Sequence, residues 1–312
     1  MALANGAQQA IRRRRAIVLM GCMVLIWGGN WPVNKFILTH ISPLWFACLR
    51  MGLGAITLFL VQAFRPDGIR LPARADLPIV LSVGLVQMAA MLALINLGLL
   101  YVPAGRSAIL CYTTPLWVVP GAILVLGERL RPAKLLALLL GLAGVAFMFN
   151  PVGFDWSDRS AVIGNLYLLA AAALWAATTV HVRAHRWRGT PLELAPWQLV
   201  VGLIPMAVLA RWVEGPFPEF QLSFDTVMLA FYSGPVITAF PFWAFVTIAR
   251  ALPALTTSLT LLLVPVVGLL SSALFLSEPL TATSVVGLLL IVGAVAAVSL
   301  TDAGEVQAGE VR

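Results

Sequence analysis

Stretches of about twenty apolar residues follow one another along this chain with only short polar connections between them. They cover roughly 16–37, 43–63, 77–98, 104–126, 132–150, 162–182, 192–212, 225–248, 255–276 and 280–300. About 20 apolar residues are what a helix needs to cross the hydrocarbon core of a bilayer. Irregular backbone and open sheet edges are too costly in lipid, and these windows are longer than barrel strands. The expected fold is therefore an all-α membrane protein of ten transmembrane helices. Charged residues are only 11% of the chain, against 61% apolar, where a soluble domain carries about a quarter charged. The windows use up most of the sequence, so no sizeable soluble domain is expected. The first window follows Arg12 to Arg15 but reads as a retained helix. It is too long for a signal peptide, lacks a small-residue cleavage site and contains Trp27, Asn30, Trp31 and Asn34. Cys22, Cys48 and Cys111 all fall inside windows, which predicts buried thiols rather than a disulfide framework.

The second half repeats the first. Leu99-Leu100-Tyr101-Val102-Pro103-Ala104 has a counterpart in Ala249-Arg250-Ala251-Leu252-Pro253-Ala254. Pro103/Pro253, Pro115/Pro265 and Glu128/Glu278 are each 150 positions apart, while Trp27/Trp175 and Pro43/Pro191 are 148 apart. The expected organisation is a basic N-terminus (1–15), a first five-helix repeat (16–150), an external linker (151–161), a second five-helix repeat (162–300) and a tail (301–312). Basic loops stay cytoplasmic. Arg12 to Arg15, Arg65, Arg70, Arg74, Arg129, Arg131, Lys134, Arg183, Arg186, Arg188, Arg250 and Arg312 fall on one side; Lys35, Arg106, Arg159 and Arg211 fall on the other. Both termini are thus expected in the cytoplasm, and the net charge of +7 needs no nucleic-acid partner. An odd number of spans per repeat turns the second copy upside down. That is the 5+5 inverted arrangement with a site near the midplane.

Several features together resemble the drug/metabolite transporter superfamily, and within it the ten-helix EamA-type carriers. They are Trp27-Gly28-Gly29-Asn30, Arg50, Pro115 followed by Gly127-Glu128-Arg129-Leu130, Gly141 with Gly144, and Pro265 with Glu278-Pro279. The resemblance covers nearly the whole chain. It implies a bacterial inner-membrane metabolite exporter, similar to the branch that exports aromatic amino acids. The two copies differ where Ala176-Ala177-Thr178 stands for Gly-Gly-Asn and Gln198 for Arg50.

All 13 Asp and Glu lie in loops, tails or at span ends. Four-helix relatives that export cationic drugs with protons rely on a glutamate in their first helix, and the first window here has none. Glu128 and Glu278 read either as caps of the N-termini of the fifth and tenth helices, beside Pro132 and Pro279, or as gate contacts. Arg50 is the one strong charge well inside a window. It reads either as a receptor for a substrate carboxylate or as a packing link to carbonyls or to Asn34. Trp27, Asn30, Trp31 and Asn34 share one helical face, and Trp175, Thr178 and Thr179 repeat it in the second half. Gln87, Met88 and Met91 form another face with Gly84, and Tyr112 and Thr113 precede Pro115. The eighth window carries Tyr232, Thr238, Phe240, Phe242, Trp243 and Phe245, and Thr256, Thr257, Ser258 and Thr260 open the ninth. His181, near the end of the sixth window, could relay protons or simply pack.

The expected substrate-binding residues are Trp27, Asn30, Trp31, Arg50, Gln87, Met88, Met91, Tyr112, Trp175, Thr178, Thr238, Trp243 and Ser258, with hinges at Pro115 and Pro265. The substrate expected is a small aromatic or hydrophobic amino acid, moved by alternating access as facilitated diffusion. Antiport of sugar phosphates or nucleotide sugars would need at least two cations at the cavity, and proton-coupled drug export a buried carboxylate. No metal-ligand spacing, phosphate-cradling glycine loop or catalytic constellation is visible, so neither a cofactor nor enzyme activity is expected. Beyond the substrate and the bilayer, the glycine faces Gly141/Gly144 and Gly287/Gly293 could pack within a monomer or between two copies.

Overall fold

A computed structural model describes residues 2–128, 132–149, 155–217, 224–252, 261–277, 280–283, 285–294 and 296–297. Those residues are helical, with short turns between helices and no strand among them. The helices are α1 (Ala2–Ile37), α2 (Pro43–Ala63), α3 (Arg74–Tyr101), α4 (Ala104–Leu126), α5 (Pro132–Phe149), α6 (Arg159–Ala184), α7 (Pro191–Val213), α8 (Val227–Arg250), α9 (Leu263–Leu276) and α10 (Val285–Ala294). Seven of the described helices are long and apolar enough to cross a membrane; shorter apolar helices are Leu135–Phe147 within α5, α9 and α10. The protein is a multi-pass, all-helical membrane protein. Its outer surface carries large apolar side chains such as Leu25, Leu124, Val208, Trp212 and Leu274, as a surface facing lipid tails requires.

Helix α1 packs on α9 and α8, α6 on α4 and α3, α2 on α7 and α8, and α3 on α7. Glycines permit the closest approaches. A Cβ on Gly84 of α3 would lie 2.8 Å from the Gln198 carbonyl oxygen, and one on Gly202 of α7 would strike the Gly84 carbonyl. At the other crossing, a Cβ on Gly234 of α8 would overlap Leu53, and one on Gly54 would come within 3.0 Å of Thr238. Gly144 of α5 faces the Gly287 carbonyl of α10 at 2.7 Å for its added Cβ. That glycine face therefore packs within the chain, while Gly293 faces open space. Small residues at helix crossings let backbones approach where no hydrophobic drive separates protein from lipid.

Two helices widen at matching places. Ser82–Met91 in α3 and Ser233–Ala239 in α8 are π-helical. Such turns are uncommon and concentrate at functional sites. Helix α4 is interrupted at Tyr112–Thr113, just before Pro115, where Thr113 and Thr114 hydroxyls donate to the Leu110 and Cys111 carbonyls at 2.8 Å each. Proline cannot supply the missing amide, so the break falls on its N-terminal side. Val102 and Leu252, each followed by proline, are extended and end α3 and α8.

Polar groups that terminate helices are matched between the halves. Lys35 of α1 donates to the Leu99 and Val102 carbonyls at 2.5 and 3.3 Å, and Arg183 of α6 to the Arg250 carbonyl at 2.6 Å. A cation at a helix C-terminus satisfies carbonyls the helix leaves open and opposes its dipole. Gly127 ends α4 in the left-handed region (φ 66°), and Ser277 does the same for α9 (φ 57°). That conformation suits glycine and costs a side-chain-bearing residue. Ser277→Gly is expected to stabilise the chain by about 0.5–1 kcal/mol, read as a small rise in melting temperature in detergent.

Two carboxylates tie connections to neighbouring helices. Asp76, at the start of α3 and fully buried, accepts from the Arg188 and Gly189 amides at 3.0 and 2.8 Å and pairs with His185 at 3.1 Å. At the opposite end of α7, Glu214 accepts from the Leu44 and Trp45 amides at 2.8 and 3.1 Å, capping α2. Asp76→Asn would turn a donor toward amides that are themselves donors. The expected cost is about 1–3 kcal/mol, seen as faster hydrogen exchange at Arg188 and Gly189.

Buried thiols are found at Cys48 and Cys111, but Cys22 is exposed, which corrects the sequence expectation. It shares the outward face of α1 with Val18 and Leu25. Lipid and protein interior are equally apolar, so a position inside a window does not settle which of them a side chain meets. Glu278, Pro279, Arg129 and Arg131 lie outside the described residues.

Candidate functional site

Helices α1, α2, α3, α4, α6 and α8 enclose one cavity, with about 700 Å³ of unfilled space including its mouth. Trp27, Asn30, Trp31 and Asn34 reach it from α1 at helical spacing, and Arg50 from α2. The π-helical turn of α3 brings Gln87, Met88 and Met91, followed by Leu92 and Ile95. Cys111 and Tyr112 come from the break in α4, Trp175 from α6, and Ile237, Thr238 and Phe242 from α8. Both widened segments therefore border the space.

One wall is aromatic. Trp27 and Trp175 meet edge to face at 5.5 Å, Tyr112 lies 5.2 Å from Trp175, and Phe245 lies 5.9 and 5.7 Å from the two indoles. Trp27 donates its indole N–H to the Ile237 carbonyl at 3.3 Å, so its ring is held. Trp175 is buried, and its indole N–H has no partner among the described residues.

The polar part is sparse and unsatisfied. Arg50, 7% exposed, donates through Nε to Thr238 Oγ1 at 3.0 Å. Thr238 passes its own proton to the Ser233 carbonyl at 2.8 Å. The guanidinium lies 5.9 Å from the Phe46 ring. Among the described residues no carboxylate pairs with it, and its two terminal nitrogens make no hydrogen bond. Asn30, Asn34 and Gln87 are 7, 3 and 1% exposed, and each has a side-chain carbonyl oxygen without a partner among the described residues. Buried polar groups are ordinarily paired, and unpaired ones cost about 1–3 kcal/mol each. Several of them converge on this one cavity. Among the described residues, Arg50 is the only charged one in the lining.

Of the residues nominated from the sequence, Trp27, Asn30, Trp31, Arg50, Gln87, Met88, Met91, Tyr112, Trp175 and Thr238 are brought together here. Thr178 and Trp243 are not among the walls. The Thr178 hydroxyl is used within α6, donating to the Leu174 and Trp175 carbonyls at 3.2 and 2.9 Å, as hydroxyls in helices often do. Trp243 follows the wall residue Phe242 by one position, so the helix turns it away, and it lies 6.1 Å from Phe240. Ser258 lies outside the described residues, as do Thr256, Thr257 and Thr260. Pro115 directly follows the α4 break, and Pro265 sits in the first turn of α9. Sequence reasoning did not nominate Asn34, Leu92, Ile95, Cys111, Ile237 or Phe242 as ligands. The periodicity of Trp27-Asn30-Trp31-Asn34 and the run Gln87-Met88-Met91-Leu92-Ile95 could have found Asn34, Leu92 and Ile95. His181 lies apart from the cavity lining and bonds through Nδ1 to Ser82 Oγ at 2.8 Å.

The family model described as EamA-like transporter family matches residues 14–150 and 162–300. The chain belongs to the EamA-like transporter family. Among its EamA-like relatives, the uncharacterized transporter YvbV of Bacillus subtilis (strain 168) is 30% identical over 287 residues, covering 92% of each chain. A probable amino-acid metabolite efflux pump of Escherichia coli (strain K12) is 27% identical over 285 residues, covering 89% of this chain and 92% of its own length. A solved crystal structure shares the EamA-like chain's fold with a TM-score of 0.74 at 20% sequence identity, covering 93% of this chain and 98% of that one. A member of the EamA-like transporter family is a membrane transporter of small metabolites.

Proposed function

We propose that the protein exports aromatic or hydrophobic amino acids across the bacterial inner membrane by alternating access, as facilitated diffusion. The observation that carries this reading is Arg50: a buried guanidinium whose terminal N–H groups make no bond among the described residues, facing a cavity whose described walls hold no acidic residue. Such a fork is matched to a carboxylate, which accepts two parallel N–H bonds. The unpartnered carbonyls of Asn30, Asn34 and Gln87 can accept from an ammonium. Trp27, Trp175 and Tyr112 offer the side chain an aromatic wall.

The gating scheme is two inverted five-helix repeats, 16–150 and 162–300, with both termini cytoplasmic. The two stretches matched by the family model support it. So does the packing: if α1–α5 exchange places with α6–α10, the pair α1/α9 becomes α6/α4, α2/α8 becomes α7/α3, and α1/α8 becomes α6/α3. Repeats related in this way convert an outward opening into an inward one by swapping conformations. The α4 break before Pro115 and the start of α9 at Pro265 are the proposed hinges. Among the described lining residues, a single cation disfavours sugar-phosphate antiport, and the lack of a carboxylate disfavours proton-coupled drug export.

Efflux from proteoliposomes tests this with labelled phenylalanine, tryptophan and leucine against a sugar phosphate, each with and without a pH gradient. Aromatic amino-acid flux above empty vesicles, insensitive to the gradient, is the expected result. Flux of the sugar phosphate alone would end the proposal. Trp27→Ala and Trp175→Ala are expected to lower aromatic flux more than leucine flux.

A further inference from the structure

The charge of the cavity has a consequence for what it holds. A carboxylate bound to Arg50 makes the pair neutral. An ammonium entering with it leaves one positive charge in a chamber whose described walls offer only neutral groups, the carbonyls of Asn30, Asn34 and Gln87 beside hydroxyls and aromatic rings. Taking an ammonium out of water is expensive, and a buried charge is normally met by an opposite one. Hydrogen bonds from neutral amides return far less than a charge-assisted fork does. Those amides also present N–H groups, so they serve a hydroxyl or carbonyl in place of the ammonium equally well.

We infer that the carboxylate is the obligatory handle and the amine a dispensable one, so that aryl monocarboxylates, with a hydroxyl or oxo group where an amino acid has its ammonium, are substrates of this transporter. The inference rests on the Arg50 reading of the cavity given above. It adds a transport property. A zwitterion moves without net charge, whereas a monocarboxylate carries one negative charge outward and is assisted by an inside-negative potential.

The test uses the wild-type chain in proteoliposomes at a pH where carboxylic acids are ionised, with potassium diffusion potentials and empty vesicles as the leak control. The probes are phenylalanine, 3-phenyllactate (hydroxyl for ammonium) and phenethylamine (no carboxylate). Efflux of 3-phenyllactate is expected at least as fast as that of phenylalanine and several-fold faster with an inside-negative potential. Phenylalanine efflux is expected to ignore the potential, and excess phenethylamine to leave it unchanged. If phenylalanine moves and 3-phenyllactate stays at the leak rate, the inference is overturned while the proposed function stands. Movement of 3-phenyllactate alone upholds the inference and removes the amino-acid function. Phenethylamine competing as well as 3-phenyllactate, or 3-phenyllactate flux insensitive to potential, overturns the inference whatever phenylalanine does.

Discussion

Arg50→Gln is expected to cut phenylalanine efflux by roughly 30- to 1,000-fold per folded molecule. The fork to a carboxylate is a pair of charge-assisted bonds in a desolvated site, and losing it costs about 2–4 kcal/mol. At about 1.4 kcal/mol per factor of ten, that gives the range stated. The same variant separates binding from architecture. Among the described residues Arg50 makes one hydrogen bond, from Nε to Thr238 at 3.0 Å, and no ion pair. Removing a buried charge that lacks an opposite partner does not weaken a fold much and can strengthen it. Melting in detergent should therefore be unchanged or slightly raised. A fall in melting temperature with normal flux per folded molecule would make Arg50 a packing link instead. Thr238→Val keeps the terminal nitrogens and should lower flux only several-fold.

Gly234→Leu should have the largest effect on stability. A Cβ at this position would overlap the Leu53 side chain and lie 3.0 Å from the Leu53 carbonyl carbon and 3.2 Å from the Gly54 nitrogen. Backbone cannot rotate aside as a side-chain tip can, so α2 and α8 must separate along the crossing. Overpacking of this kind costs about 3 kcal/mol or more, read as a steep drop in melting temperature and in the yield of monodisperse protein. Gly84→Leu should behave the same way at the α3/α7 crossing, where its Cβ would lie 2.8 Å from the Gln198 carbonyl oxygen. Gly21 has nothing within 4 Å of its added Cβ. Gly21→Ala should be neutral or slightly stabilising, since alanine is the better helix former. Equal losses at Gly21 and Gly234 would show that the crossings are not what the glycines serve.

The sequence carried much of the cavity because one kind of information sufficed for it. Spacing along a single helix put Trp27, Asn30, Trp31 and Asn34 on one face, and asparagines are too costly to leave in lipid. The 148–150 offset led from Trp27 to Trp175, and the two indoles do touch. What stayed hidden needed information of another kind. Asp76 and the amides of Arg188 and Gly189 are over a hundred positions apart, and a backbone N–H leaves no trace in residue type. The widened turns of α3 and α8 depend on how those helices cross their neighbours, so the matched Gly84 and Gly234 became meaningful only once the crossings were seen. Cys22 was misjudged because an apolar window has two apolar sides. Thr178 was overvalued because a hydroxyl inside a helix can satisfy itself.

Among the described residues, the Glu214 carboxylate grips the chain through the peptide nitrogens of Leu44 and Trp45. A latch of that design has one half written in the genome and the other half common to every residue. Charge-reversal pairs, the usual genetic proof of an ion pair, cannot be built for it. A suppressor screen starting from Glu214→Lys should return no compensating substitution to an acidic residue at 44 or 45, only changes that restore an acceptor from elsewhere.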